Sequence, residues 1–152
     1  MLFSSFNLFG KQVGPFDKYK KIIFSQAGEE GILEFLLKKI KNDKLKKLNV
    51  VEFGAWDGIH LSNTFYFVKE YNANAIYIEK DKKRFIDLLM TVSKYPKINP
   101  INCGISPNTK SKYTLDKILK KYFNKKNDID ILSIDIDSYD LNIWKSLKNY
   151  IP

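Results

Sequence analysis

Apolar residues along this chain follow two different spacings, and the two spacings alternate. Segments in which apolar residues recur every three or four positions are predicted to be helices; they cover residues 27–41, 61–71, 85–92, 113–123 and 139–150. Short apolar runs between them are predicted to be strands; they cover residues 49–53, 74–81, 98–106 and 129–137. The third run is the weakest, because Pro100 interrupts it. Thr114 and Asp140 are expected to cap the helices that follow them.

Strands that alternate with helices at this spacing form βαβ units and a parallel sheet. We therefore predict an α/β fold, a Rossmann-like parallel sheet with flanking helices, in residues 25–152, preceded by an N-terminal extension of residues 1–24. The run 129–137 is apolar on both faces, as in a central strand. We expect the sheet to be incomplete on its C-terminal side, either because the chain is a piece of a longer protein or because a partner chain covers that edge.

The first predicted strand ends in the segment VVEFGAWDGIHLSNT, which contains two glycines and two acids. Ligands of parallel α/β sheets bind beyond the carboxyl ends of the strands. That position is occupied here by Glu52, Gly54, Ala55, Asp57 and Gly58. Glycine allows a positive φ and a close approach of a ligand to the backbone. The simpler interpretation is a turn that only fits a helix onto a strand, and the turn alone favours neither.

A further acid, Glu79, ends the next strand, where a carboxylate can accept hydrogen bonds from both hydroxyls of a ribose. It favours a nucleoside-containing ligand over the alternative, a solvated glutamate. A diphosphate is disfavoured, because Trp56 replaces a glycine of the dinucleotide turn and Asp57 adds negative charge. S-adenosylmethionine combines an adenosine with a cationic sulfonium and an ammonium, so it suits these acids better.

Four blocks of the sequence together resemble the FkbM-like S-adenosylmethionine-dependent methyltransferases. They are FSQAGEEGILEFLL, VVEFGAWDGIHLSNT, AIYIEKD and LSIDIDSYDLNIWKSL, in that order between Phe24 and Leu147. The resemblance implies the class I Rossmann-like methyltransferase fold and transfer of a methyl group, usually to a hydroxyl oxygen. Ser138 is a departure, since the related segments have glycine at that position.

The resemblance also implies roles for individual residues. Those expected to line the methionine end of the cofactor are Glu52, Gly54, Ala55 and Gly58. Glu79 is expected to hold the ribose, Asn102 to contact the adenine, and Asp135 to lie where the sulfonium and the acceptor meet. Ser25 matches a family block with Gln26, but a helix cap explains Ser25 equally well.

Acidic residues are concentrated near the end of the last predicted strand: Asp130, Asp135, Asp137 and Asp140. In the interpretation we favour, Asp135 and Asp137 serve a methyl-acceptor site, where close like charges raise the pKa of one carboxyl. The second interpretation is a Mg²⁺ site. The third is the Asp-x-Asp motif of a metal-dependent, glycosyltransferase-like enzyme. Asp130 and Asp140 are expected to be structural.

Four other residues are singled out by their chemistry. His60, the only histidine, follows the glycine turn and is a candidate general base, although an ordinary loop position is the simpler interpretation. Trp56 and Trp144 are expected to pack rather than to stack on a ligand. The single Cys103 excludes an internal disulfide, is expected to be buried, and suits a reducing cytoplasm.

The net charge of +9 raises the question of nucleic acid as a partner. Of the 26 basic residues only Arg84 is an arginine, and the bidentate guanidinium fork is what reads guanine and phosphate best. A lysine-rich solvated surface is therefore the better explanation. No apolar run approaches the ~20 residues of a membrane span, so no membrane partner is predicted.

The sequence thus predicts an S-adenosylmethionine-dependent methyltransferase that acts on a hydroxyl of a small molecule or saccharide, with Mg²⁺ as an optional second cofactor. A non-catalytic Rossmann-like binding module is the alternative, and the glycosyltransferase-like enzyme is third. The expected location is the cytoplasm.

Overall fold

The computed structural model of the chain describes residues 14–123, 128–136 and 139–150. In chain order it contains a 3₁₀ helix (Asp17–Tyr19), α1 (Glu29–Ile40), β1 (Asn49–Phe53), α2 (Phe65–Tyr71), β2 (Asn74–Glu79), α3 (Lys82–Lys94), β3 (Ile98–Asn102), α4 (Leu115–Leu119), β4 (Ile131–Ile134) and α5 (Asp140–Ser146). Each predicted strand and helix has a counterpart. In the part of the chain described, no helix has the length and apolar character needed to span a membrane.

The four strands form one parallel sheet in the order β3-β2-β1-β4. The chain runs outward from β1 to β3 and then crosses to the far side of β1 for β4. The predicted fold class is therefore confirmed: the protein is an α/β protein with a Rossmann-like sheet and flanking helices. The strand order reverses between β1 and β4, where such sheets open a crevice at their carboxyl ends.

Helices cover both faces of the sheet, because successive residues of each strand point to opposite sides. On one face Val50 belongs to a core that includes residues of α1, α2 and α3. On the other face Val51 belongs to a second core that includes residues of α4 and α5. Both valines are fully buried, as expected for a strand in the middle of a doubly covered sheet.

Side-chain caps explain the starts of two helices. Asp81 caps α3 by accepting hydrogen bonds from the backbone N–H groups of Lys83 and Arg84, and Thr114 caps α4 as predicted. The prediction for Asp140 is wrong. It is the first residue of α5, and its Oδ1 accepts a hydrogen bond from the backbone N–H of Ile136 at 3.0 Å instead.

The two edges of the described sheet differ in chemistry. β3 runs through Pro100, which pairs with Tyr77 of β2 and tolerates its missing N–H because the strand is at the edge. At the other edge, β4 reads Ile-Leu-Ser-Ile, and Leu132, Ser133 and Ile134 are only partly buried. No described strand pairs with its outer side.

The segment that precedes α1 is held by a buried glutamate that sequence reasoning did not single out. Glu30 is fully buried, and its Oε1 accepts hydrogen bonds from the backbone N–H groups of Ile23, Phe24 and Ser25. Ser25 donates its hydroxyl to Glu30 and accepts from the N–H groups of Gly28 and Glu29. The segment SQAGEE therefore forms the turn that leads into α1. The N-cap of this helix is Gly28 rather than Ser25, and Ser25 supports the helix start by accepting from the N–H groups of Gly28 and Glu29.

A second buried glutamate, Glu34, connects α1 to its surroundings. It accepts hydrogen bonds from the Lys21, Lys38 and Tyr71 side chains. Burial favours the neutral carboxyl, but these three bonds outweigh it and lower the pKa of Glu34 from 4.5 to about 2. A group with a depressed folded pKa stabilises the protein above its unfolded pKa, and that stabilisation is lost as the pH falls toward the folded value.

Replacing Glu34 with Gln is expected to lower the free energy of unfolding by about 2 kcal/mol at pH 7, because charge-assisted hydrogen bonds are lost. The difference from the wild type should shrink as the pH falls from 4.5 toward about 2, where the wild-type carboxyl becomes protonated. Urea unfolding of both proteins at pH 7, 4 and 3 measures it. Glu70→Gln, on the exposed surface, is the control and should change stability by less than about 0.5 kcal/mol. A Glu34→Gln difference that does not vary with pH would contradict the assignment.

Candidate functional site

The turn after β1 is the most conformationally unusual part of the described chain. Gly54, Trp56, Gly58 and Leu61 all have left-handed backbone, with φ of 77°, 46°, 78° and 55°. Tryptophan and leucine avoid this region, at a cost of about 1–2 kcal/mol each. Such strain persists only where neighbouring contacts fix the backbone, and it is concentrated at functional sites.

Gly54 joins β1 to the chain that follows β4. A Cβ atom at Gly54 would lie 2.0 Å from the backbone carbonyl oxygen of Asp135. The N–H of Asp135 points to the carbonyl of Phe53 at 3.4 Å. The absence of a side chain therefore lets the carboxyl ends of β1 and β4 meet at the point where strand order reverses, and Asp135, which is exposed, lies there.

The other predicted residues of the turn face inward or fold the turn itself. A Cβ at Gly58 would meet Leu88 at 2.8 Å and Tyr77 at 3.0 Å, so this glycine lets the turn pack on the core. Ala55 is buried. Asp57 accepts hydrogen bonds through Oδ1 from the backbone N–H groups of Ile59 (2.9 Å) and His60 (2.7 Å).

Glu52 is buried beneath the start of α2. Its carboxylate accepts hydrogen bonds from the hydroxyls of Ser62 and Thr64 and from the backbone N–H groups of Asn63 and Thr64. Burial raises the pKa of Glu52, although the hydrogen bonds oppose the shift. These bonds hold residues 62–64 out of the helix, which explains why α2 begins at Phe65 rather than near the predicted residue 61.

Glu79, at the end of β2, lies against the glycine turn at the end of β1. One oxygen, Oε2, accepts a hydrogen bond from the backbone N–H of Trp56 at 3.0 Å, and the other accepts from the N–H of Asp81 at 2.6 Å. The residue is 5% exposed. Asn102 is beside it, and its side-chain amide donates to the carbonyls of Glu79 and Lys80 at 2.8 and 3.3 Å. The structure thus brings Glu79, Asn102 and the turn together.

An aromatic and cationic cluster covers the outside of the turn. The Trp56 side chain is 37% exposed, and the imidazole of His60 meets its ring edge-on at 5.1 Å. The Arg84 guanidinium lies 5.2 Å from the centroid of the Trp56 ring, within the range of a cation–π interaction. Trp56 therefore does more than pack against the protein, and the sequence did not indicate that Arg84 contacts the turn.

The acidic residues of the last strand do not form the single cluster that was predicted. Asp130 lies at the opposite end of β4, where it accepts from the backbone N–H of Asn49 and pairs with Lys41. The physical reason is direction: Asp130 precedes a parallel strand, whereas Asp135 follows it. Asp137 lies outside the described residues. Over the parts of the chain described, no three His, Cys, Asp or Glu residues are grouped as metal ligands would be.

Two further expectations about individual residues need correction. Trp144 is 50% exposed on α5 rather than packed, because the inward face of this short helix is taken by Ile143. Cys103 is half-buried rather than buried, and this partial burial raises the pKa of its thiol.

The residues that sequence reasoning missed are mainly partners of the two strand-end acids. Ser62 and Thr64 hold Glu52, and Asn63 donates from its side chain to the hydroxyl of Ser133 at 3.1 Å, across to β4. The available signal was the polar run Ser-Asn-Thr directly before an apolar helix, ten residues after a strand-end acid.

The chain matches no family model, and no curated protein matches it either. The fold and the site define the class: an α/β protein with a Rossmann-like sheet, whose first strand ends in a strained glycine turn and whose second ends in an acid bound to that turn.

Proposed function

We propose that this protein is an S-adenosylmethionine-dependent methyltransferase that transfers a methyl group to a hydroxyl oxygen of a small molecule or saccharide. The observation that carries the proposal is the hydrogen bond from the backbone N–H of Trp56 to the Glu79 carboxylate, at 3.0 Å. It joins the acid at the end of β2 to the glycine turn at the end of β1. An acid beside such a turn is the arrangement that holds the ribose of a nucleoside ligand in Rossmann-like sheets.

Glu79 has the hydrogen-bonding capacity that a ribose needs. A carboxylate has about four acceptor positions, and the backbone N–H groups of Trp56 and Asp81 occupy one on each oxygen. The second acceptor position on each oxygen is the one that we propose for a ribose hydroxyl. Asn102, whose side-chain amide donates to the carbonyl of Glu79, is the residue that we propose contacts the adenine.

We assign the remaining predicted residues either to the methionine end of the cofactor or to the support of the turn. Gly54 is exposed and presents bare backbone to the methionine end of the cofactor. Glu52 supports this region indirectly, since its hydrogen bonds go to the 62–64 segment. Ala55, Asp57 and Gly58 keep the shape of the turn.

When bound, S-adenosylmethionine supplies a methyl group on a cationic sulfur. The protein has to place the acceptor oxygen in line with that methyl at near-attack distance, and a base has to take the proton of the hydroxyl. Asp135, next to Gly54 at the reversal of strand order, is the base that we propose. His60, beside Trp56, is the second candidate. Participation of Asp137 and of Mg²⁺ stays a prediction, as does a cytoplasmic location.

Isothermal titration with S-adenosylhomocysteine tests the cofactor site. We expect the wild type to bind and Glu79→Gln to bind at least tenfold more weakly, because an amide accepts fewer hydrogen bonds from a ribose; tenfold corresponds to about 1.4 kcal/mol. Asp87→Asn, an exposed acid on α3, is the control and should bind like the wild type. Absence of binding by a folded wild-type chain would reject the proposal.

The second candidate function is a non-catalytic Rossmann-like binding module. It is favoured by the fact that the hydrogen bonds of both strand-end acids, Glu52 and Glu79, are made inside the protein. The titration separates the two, since a module that has lost its cofactor site gives no heat with S-adenosylhomocysteine. A glycosyltransferase-like activity ranks third and predicts binding of a nucleotide sugar with Mg²⁺ instead.

A further inference from the structure

The Arg84 side chain occupies an unusual position for the only arginine of a lysine-rich chain. It belongs to the first turn of α3, and its guanidinium stacks at 5.2 Å from the Trp56 ring instead of pairing with an acid. Within the described residues, Arg84 takes part in no salt bridge. The five donors of the guanidinium fork therefore have no carboxylate partner there.

Two acids lie near this arginine, and Arg84 helps to lower the pKa of Asp81, after the hydrogen bond from its own backbone N–H, but within the described residues neither acid forms a salt bridge with the guanidinium. Asp81 accepts hydrogen bonds from the backbone N–H groups of Lys83 and Arg84 as the cap of α3. Glu79 accepts from Trp56 and Asp81 and is almost completely buried. The outer surface of the turn thus combines an open guanidinium with exposed Lys80, Lys82 and Lys83, and its local charge is positive.

The Trp56 ring is held in place as a platform. The backbone of Trp56 is left-handed with φ 46°, and its backbone N–H donates to Glu79. The His60 imidazole makes an edge-to-face contact with the Trp56 ring. A guanidinium held over an aromatic ring by a cation–π contact is restricted before an anion binds, so less rotamer freedom is lost on bidentate binding. This is a built arrangement, whereas the flexible lysines around it are not.

We propose that Arg84, Trp56 and His60 form a subsite for an oxyanion, a carboxylate or a phosphate, carried by the methyl acceptor. The proposal rests on the proposed function, and it narrows the acceptor from any hydroxyl compound to an anionic one such as a hydroxy acid or a phosphorylated sugar. Arg84 binds the anion bidentately, and Trp56 and His60 supply the wall against which the rest of the acceptor lies. The oxyanion of the acceptor and the carboxylate of the cofactor share this chemistry, so the test has to separate them.

Titration with inorganic phosphate, followed by the fluorescence of Trp56, tests the subsite. The Trp144→Phe background leaves Trp56 as the single tryptophan, and potassium chloride at matched ionic strength controls for screening. We expect a saturable change with a Kd of about 1–10 mM. Arg84→Gln should weaken binding at least tenfold, because it removes both the positive charge and the bidentate contact. Lys83→Gln removes the same charge from the adjacent position and should change the affinity less than about twofold.

Each remaining outcome is decisive. No saturable change, or equal weakening by Arg84→Gln and Lys83→Gln, would overturn the subsite in favour of general electrostatic attraction. If S-adenosylhomocysteine binds and, at saturation, leaves the phosphate affinity unchanged, the subsite belongs to the acceptor. If it displaces phosphate, the subsite takes the carboxylate of the cofactor and the acceptor assignment is wrong. Phosphate binding without S-adenosylhomocysteine binding would reject the proposed function while the subsite stands.

Discussion

Replacing Glu52 with Ala is expected to destabilise the protein by at least about 3 kcal/mol, enough to leave much of a marginally stable domain unfolded. Its buried carboxylate satisfies two hydroxyls and two backbone N–H groups at the start of α2. Alanine would leave the N–H groups of Asn63 and Thr64 without this acceptor, and each buried unsatisfied donor costs about 1–3 kcal/mol. The midpoint of urea unfolding, measured by circular dichroism, reports the change.

Glu52→Gln is the matched variant for this experiment. It keeps the size of the side chain and one carbonyl acceptor, so it should cost clearly less than Glu52→Ala at pH 7. Because burial raises the pKa of Glu52, the ionised wild-type carboxylate opposes folding at pH values above its folded pKa, and the wild type gains stability relative to Glu52→Gln as the pH falls through that value. A loss below about 1 kcal/mol in Glu52→Ala would show that water replaces the carboxylate and that the residue does not hold the loop.

Replacing Gly54 with Ala is expected to cost more than about 2 kcal/mol and to separate β1 from the chain that follows β4. The new methyl group would lie 2.0 Å from the carbonyl oxygen of Asp135, which is backbone and cannot rotate away. The left-handed φ of 77° adds strain for any residue with a Cβ. Thermal unfolding measures the loss, and binding of S-adenosylhomocysteine should fall with it, since the same movement displaces the crevice.

Gly104→Ala is the control for this prediction, because it also adds one methyl group beside the proposed site. Its Cβ would meet the flexible Lys80 side chain at 3.2 Å and no backbone atom. We expect a change below about 1 kcal/mol. Equal stability of Gly54→Ala and Gly104→Ala would contradict the close approach of the two strand ends.

The fold was predictable because it depends on patterns that are local in the sequence. The apolar run at residues 49–53 became β1 with the same bounds, and Thr114 capped its helix as its side chain allows. Helix starts were predicted less well where a distant residue controls them. α2 starts late because Glu52, ten or more positions away, binds the N–H groups that would otherwise enter the helix.

The candidate site was predicted in part for the same reason. Parallel strands bring their carboxyl ends to one edge of the sheet, so the sequence favoured a site that combines Glu79 with the glycine turn. The stacking of Arg84 on Trp56 did not, because it depends on how the first turn of α3 faces a strained backbone. Asp130 was wrongly grouped with the other acids because the predicted strand was longer than β4. Asp130 precedes β4 and Asp135 follows it, so the two residues lie at opposite ends of the strand.

The two edges of the sheet differ in how readily they can pair with a further strand. Beside β3, Pro100 removes a donor from the ladder and blocks a regular neighbour. Beside β4, the short sequence Ile-Leu-Ser-Ile contains neither proline nor charge, the two devices that usually discourage an incoming strand. Any fifth strand, whichever molecule contributes it, is therefore expected to dock beside β4, adjacent to the crevice where Asp135 meets Gly54.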